Sequence, residues 1–122
     1  MYDSTIICYN HIIMDILDKN IEIAKNIITS EVEKAGYQVD RIILFGSRAK
    51  GNFSKNSDYD FFVLTKQDLL HEDSNYLLAK LDRLLAELKI DNDIILTSVN
   101  KLKKDNNVGN ITYYALKHGV VV

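Results

Sequence analysis

The stretch that decides the fold is Leu44–Leu64, LFGSRAKGNFSKNSDYDFFVL. A short apolar run, Arg41–Phe45 (RIILF), stops at Gly46-Ser47. A polar loop follows, and Ser57-Asp58-Tyr59-Asp60 leads into a second apolar run, Phe61–Leu64 (FFVL). Neither run alternates with polar residues, which predicts strands buried on both faces. Asp58 and Asp60 are two residues apart, so on an extended strand their carboxylates point to the same side. Like charges that close repel unless something neutralises them, and a hard divalent cation with oxygen ligands does so, magnesium above all where the substrate is a phosphate. Read alone, the same two acids also fit a turn cap followed by a solvated side chain. Gly46-Ser47 likewise has two readings. The turn can present backbone N–H groups, the Ser47 hydroxyl and the nearby charges of Arg48 and Lys50 to a phosphate, or it can simply be a serine-capped start of a helix. It is not a Walker A loop, because the Gly-Lys-Ser/Thr ending is missing.

Working outward, Ile13, Leu17, Ile21, Ala24, Ile28, Val32 and Ala35 recur in steps of three and four. This spacing predicts a helix over 10–35, stopped by Gly36. Leu77, Leu81, Leu84, Leu85 and Leu88 predict a second helix over 74–88, with Asp73 or Ser74 as its N-cap. Asp93–Thr97 (DIILT) reads as a third strand. Ile111–His118 reads as a last short helix, with Tyr113-Tyr114 as packing residues on it, and Val120–Val122 as a terminal strand; Lys101, Lys103 and Lys104 read as a solvated turn. If the FFVL and DIILT strands are neighbours, Asp93 joins Asp58 and Asp60 at one sheet end, and three acids can hold two metals. Asp91 competes with Asp93 for that place. The order of elements predicts an α/β domain whose sheet is covered by helices.

Composition narrows the function classes. A chain of 122 residues fits a single domain with a core of its own. The formal charge of −2 offers no general attraction to DNA or RNA, so direct nucleic-acid binding is not expected. Cys8 is the only cysteine and cannot form an internal disulfide, which fits a reducing cytoplasm. His11, His71 and His118 have no zinc spacing. The N-terminus lacks the early basic residues of a signal peptide, and no apolar run approaches the ~20 residues of a membrane span.

Gly46-Ser47, ten residues from Arg48 to Ser57, then Asp58-Tyr59-Asp60 and an acid on a later strand resemble the nucleotidyltransferase superfamily that includes DNA polymerase beta. The resemblance is closest to its smallest branch, the minimal nucleotidyltransferases (MNT domains). It runs from Val39 to the C-terminus, where YYALKHGVVV is similar to that branch's closing helix, glycine and strand. It implies a polymerase beta palm-like α/β fold: a small mixed sheet of about four strands flanked by helices. It also implies one domain over 1–122, with a helical segment at 1–36 and the motif-bearing core at 39–122.

The resemblance further implies a Mg²⁺-dependent transfer of AMP from ATP to a hydroxyl, with release of pyrophosphate. Asp58 and Asp60 would hold two Mg²⁺ ions and Asp93 would complete the catalytic site. Gly46 and Ser47 would grip the β/γ phosphates, with Arg48 or Lys50 offsetting the leaving charge. Larger relatives carry an extra recognition domain for which this chain has no room, so the acceptor is expected to be small or to be a protein. Stand-alone MNT proteins pair with HEPN proteins, small helical ribonucleases, as antitoxins that add AMP to a tyrosine of the toxin. A HEPN partner, a homo- or hetero-oligomer and a cytoplasmic setting are therefore expected. Two alternatives stay open: adenylylation of a small molecule such as an aminoglycoside, and a binding antitoxin that has lost catalysis.

Overall fold

The structure, a computed structural model, describes residues 18–51, 57–104 and 118–122. Its elements run α1 (Lys19–Lys34), β1 (Val39–Phe45), α2 (Gly46–Lys50), β2 (Tyr59–Thr65), α3 (His71–Glu87), β3 (Asn92–Ser98), α4 (Val99–Lys104) and β4 (Val120–Val121). The four strands form one sheet in the order β3-β2-β1-β4. β1 pairs antiparallel with both β2 and β4, whereas β2 and β3 run parallel. The sheet is therefore mixed, as expected.

The period-two pattern of the strands divides the core between two faces. Ile42 and Leu44 of β1, with Tyr59, Phe61 and Val63 of β2, pack under Ile21, Ala24, Ile28 and Val32 of α1 and Leu77, Leu81 and Leu85 of α3. On the other face, Ile43, Phe45, Phe62 and Leu64 are buried with Ile95 of β3 and Leu102 of α4 against them. Phe61 through Leu64 are wholly buried, so two-faced burial accounts for their unbroken apolar run. Buried Glu31 ties the two long helices together, taking Lys80 Nζ at 2.7 Å and Lys34 Nζ at 3.2 Å. Those contacts, led by the Lys80 hydrogen bond, hold its carboxyl below the usual range.

Several boundaries differ from the sequence expectation. The first described helix begins at Lys19, because Asp18 leaves the helical conformation (φ −95°, ψ 89°) and its side chain accepts from the Asn20 N–H. The part of that prediction before Asp18 lies outside the described residues. Gly36, at φ +94°, ends the helix as expected: its N–H donates to the Glu33 carbonyl and that of Tyr37 to Val32.

The second long helix starts at His71, three residues early, and Asp73 does not cap it. The Asp73 carboxylate instead accepts from the Tyr37 hydroxyl at 2.6 Å, inside the first helical turn. The strands are longer than their apolar runs, since ladder hydrogen bonds are made by main chain whatever the side chain. The lysines after β3 belong to α4, whose N-terminus is capped by Ser98 Oγ accepting from the Lys101 N–H at 3.2 Å. The Ile111–His118 helix and Tyr113-Tyr114 lie outside the described residues apart from His118. Among the described residues no helix is long and apolar enough to cross a membrane.

Leu81 is fully buried where α3 meets the sheet. Leu81→Ala is expected to cost about 2–5 kcal/mol, read as a lowered urea midpoint at unchanged m-value.

Candidate active site

Asp60 is the second residue of β2, inside the paired strand rather than before it. Its register partner on β1 is Phe45, the residue before Gly46, and on β3 it is Asp93. The Asp60 and Asp93 side chains thus leave adjacent strands on the same face, the one that carries Phe62, Leu64 and Ile95 further along. Asp58 precedes β2 and is exposed, as is Asp93, while Asp60 is half-buried. Burial, then the charge of Asp93, then that of Asp58 push the Asp60 carboxyl above the usual carboxylate range. Asp91 lies just outside β3 and serves the ladder through its main chain, its carbonyl accepting from the Tyr59 N–H at 2.9 Å.

Gly46 turns the chain from β1 into α2 with φ +74°. A Cβ here would overlap Asp60 Oδ2, so with the carboxylate in this place the position favours glycine. Ser47 follows, half-buried. Arg48 has protein partners that the sequence did not announce. It is buried, and its Nε and Nη2 donate to the Ser57 carbonyl at 3.3 and 3.0 Å. Its Nη1 lies 3.6 Å from Asp18 Oδ2, and its guanidinium carbon sits 4.1 Å from the centroid of the Tyr59 ring. These contacts hold the two ends of the loop together. The side chain of Lys50 lies outside what the structure describes.

The sequence reading passed over Tyr59 and Asp18. Tyr59, between the two aspartates, points to the opposite face and donates its hydroxyl to Asp18 at 2.8 and 2.9 Å. Burial first, and then the Asp18 hydrogen bond, raise its pKa, so the hydroxyl stays a donor. The period-two rule that put the aspartates on one side already implied that Tyr59 faces the core; its partner lay 41 residues away and carried no local signal.

The acids supply oxygen donors only, the type magnesium takes. Among the described residues, no three His, Cys, Asp or Glu side chains are gathered closely enough to cage a metal outright. The fit is one of donor chemistry at a shared sheet end. Beside it, a cavity of about 220 Å³ opens between α3 and β3, lined by Leu78, Asp82, Asn92, Asp93 and Ile94. A larger cleft of about 410 Å³, between α1 and α3, holds none of the candidate residues.

Two outcomes follow. Gly46→Ala combines backbone strain with overlap on Asp60, whereas Gly36→Ala meets no atom within 4 Å and carries the backbone cost alone. Each should lose about 1–2 kcal/mol from the backbone, with Gly46→Ala losing more in thermal melts. Asp60→Asn should raise metal-free stability at pH 7. The folded carboxyl titrates above the unfolded one, so the folded state holds the extra proton and stability falls as pH rises between the two values. The gain should therefore shrink towards about pH 4; a gain that persists there would assign it to packing rather than charge.

Comparison with known proteins bears on the fold and the family. No curated protein matches the chain. Among solved structures, a chain of the toxin–antitoxin with AMP-PNP shares the fold at a TM-score of 0.50 and 24% identity, covering 79% of this chain and 69% of that one. A chain of a toxin–antitoxin MntA-HpeT mutant gives 0.48 at 22% identity, over the same shares of each chain. The family model for polymerase beta nucleotidyltransferases matches residues 13–122, nearly the whole chain, and the protein accordingly belongs to that nucleotidyltransferase family.

Proposed function

We propose that this nucleotidyltransferase moves AMP from ATP to a hydroxyl of a protein partner, a tyrosine of an HEPN toxin, and acts as its antitoxin. The observation that carries the chemistry is the register of Asp60 with Asp93, with Gly46 main chain against Asp60. In a chain of this family such an arrangement supports a phosphate-handling centre. The fold shared with the toxin–antitoxin that holds AMP-PNP supports ATP as donor and a toxin as partner. The choice of HEPN follows the resemblance of the motif to stand-alone MNT proteins, and a cytoplasmic setting goes with it.

In this reading Asp58, Asp60 and Asp93 would hold magnesium, two ions with Asp93 completing the catalytic site. When bound, the metal offsets phosphate charge and lowers the pKa of the acceptor hydroxyl. Gly46 and Ser47 orient the triphosphate so that its α-phosphorus faces the acceptor. The acceptor oxygen forms a bond to that phosphorus as the bond to the α,β-bridging oxygen breaks, and pyrophosphate leaves with the electron pair. Asp93 takes the acceptor proton and passes it to water. Arg48 is assigned a structural part, fixing the loop between Gly46 and Asp58, which leaves Lys50 as the cation for the leaving charge. Catalysis is then mostly positioning and charge stabilisation.

Asp58→Asn and Asp60→Asn should each lower AMP transfer by about 100-fold or more while the fold, read by circular dichroism, is kept. Asp93→Asn should be more damaging than Asp91→Asn. Transfer is measured with labelled ATP and an HEPN toxin as acceptor, with intact mass locating the product. Full activity in both motif variants would defeat the assignment, and a toxin neutralised without any mass increase would point to inhibition by binding.

A further inference from the structure

We propose that Tyr59, anchored by Asp18 and Arg48, is a positioning residue that aims the Asp58 and Asp60 carboxylates from the opposite face of the sheet; this rests on the metal-binding role given to those acids above. Side chains alternate along β2, so whatever fixes Tyr59 on the inner face fixes the main chain from which Asp60 leaves on the outer face, and with it the peptide that joins Asp58 to the strand. Tyr59 is 4% exposed and is held at several points. Its hydroxyl donates to the two oxygens of Asp18 at 2.9 and 2.8 Å and takes a longer contact from Asn20 Nδ2 at 3.4 Å. Its ring lies parallel to that of Phe61, with centroids 6.2 Å apart, and under the Arg48 guanidinium. Its N–H is tied to the Asp91 carbonyl. Arg48 in turn grips the Ser57 carbonyl, one residue before Asp58. Asp18 closes the circuit: the same carboxylate caps α1, accepts from Tyr59 and faces Arg48.

Packing alone does not ask for this arrangement. A phenylalanine would fill the space beside Phe61 and stack under Arg48 equally well. The hydroxyl adds a charge-assisted hydrogen bond to an acid on another element, which fixes direction more than volume. Direction is what the other face needs, because repulsion drives Asp58, Asp60 and Asp93 apart, while a metal site tolerates errors of only about 0.5 Å. Supporting partners of this kind typically change metal affinity or rate by about 10–100-fold.

The test uses the full chain with Tyr59→Phe, Asp18→Asn and, as a stability control, Ile28→Val, which trims the α1 core and leaves the network alone. Mn²⁺ is the metal probe, its binding followed by electron paramagnetic resonance, alongside melting and AMP transfer resolved into kcat and KM for ATP. Tyr59→Phe should weaken Mn²⁺ binding and lower kcat by about 10-fold, with KM for ATP little changed. Asp18→Asn, whose amide oxygen still accepts from Tyr59, should fall between it and the wild type. Wild-type Mn²⁺ affinity in both network variants, or losses no larger than those of Ile28→Val, would overturn the proposal. If Tyr59→Phe does not fold, Asp18→Asn decides by the same criterion. A wild-type protein that binds no Mn²⁺ also overturns it. Loss of Mn²⁺ binding in Tyr59→Phe, from a wild type that transfers no AMP, would uphold the positioning role and reject the proposed reaction.

Discussion

The Asp60 carboxylate stands where an ionised group is least welcome. It is half-buried, pressed against the main chain of Gly46, and in register with a second acid on the next strand. Its raised pKa expresses that cost. A strand end carrying such a group tends to fray or twist away, so the rest of the fold has to keep it in place. β2 is suited to the task because it lies inside the sheet, paired on both sides, and its next four residues are wholly buried. Each large apolar side chain buried there contributes about 1.5–3 kcal/mol, an upper figure given the compactness of unfolded chains. Four in succession anchor the strand that holds the acid.

The two faces of β2 divide the work. Inward, Tyr59, Phe61 and Val63 join the core made with α1 and α3. Outward, Asp60 comes first, and Phe62 and Leu64 follow under Leu102. The change from charged to apolar along the outer face marks where solvent access ends. Polar groups in the interior are satisfied: among the described residues no buried side-chain nitrogen or oxygen lacks a partner. Ser98 illustrates this, since its hydroxyl donates to Asp68 and accepts from Lys101. The electrostatic tension is thereby concentrated at the sheet end that carries the acids.

Much of the fold could be read from the sequence because its signals are local. The unbroken runs RIILF and FFVL marked buried strands, DIILT marked a third strand that lies half-buried at the sheet edge, the three-four spacing marked two helices, and Gly36 marked a stop. Boundaries were less legible, for physical reasons. Asp18 lies within the periodic stretch yet is not helical, because its side chain satisfies an N-terminal donor and a tyrosine far along the chain at once. Asp73 looked like a cap, but Tyr37 takes its carboxylate. At the candidate site, spacing placed Asp58 and Asp60 on one side, while only the parallel pairing of β2 with β3 brings Asp93 beside Asp60. The partners of Arg48 were not legible at all. A positive charge after a glycine-serine turn suggests a phosphate ligand, yet its contacts here include a carbonyl nine residues on and the cap of another helix.

The plainer reading of the motif, a serine-capped turn and two solvated acids, accounts for less of this geometry. A turn that needs a positive φ can use asparagine or aspartate as well as glycine. At position 46 either would also push the Asp60 carboxylate out of its present place, because a Cβ would overlap its Oδ2. A solvated acid would lie at an exposed edge; Asp60 is drawn inward against main chain and held facing Asp93. Glycine and aspartate thus meet in one close approach of backbone to carboxylate, which turn chemistry and solvation do not by themselves require. Local rules are broken in folded proteins chiefly where function requires it. A divalent cation held by these acids would turn the repulsion at this sheet end into attraction.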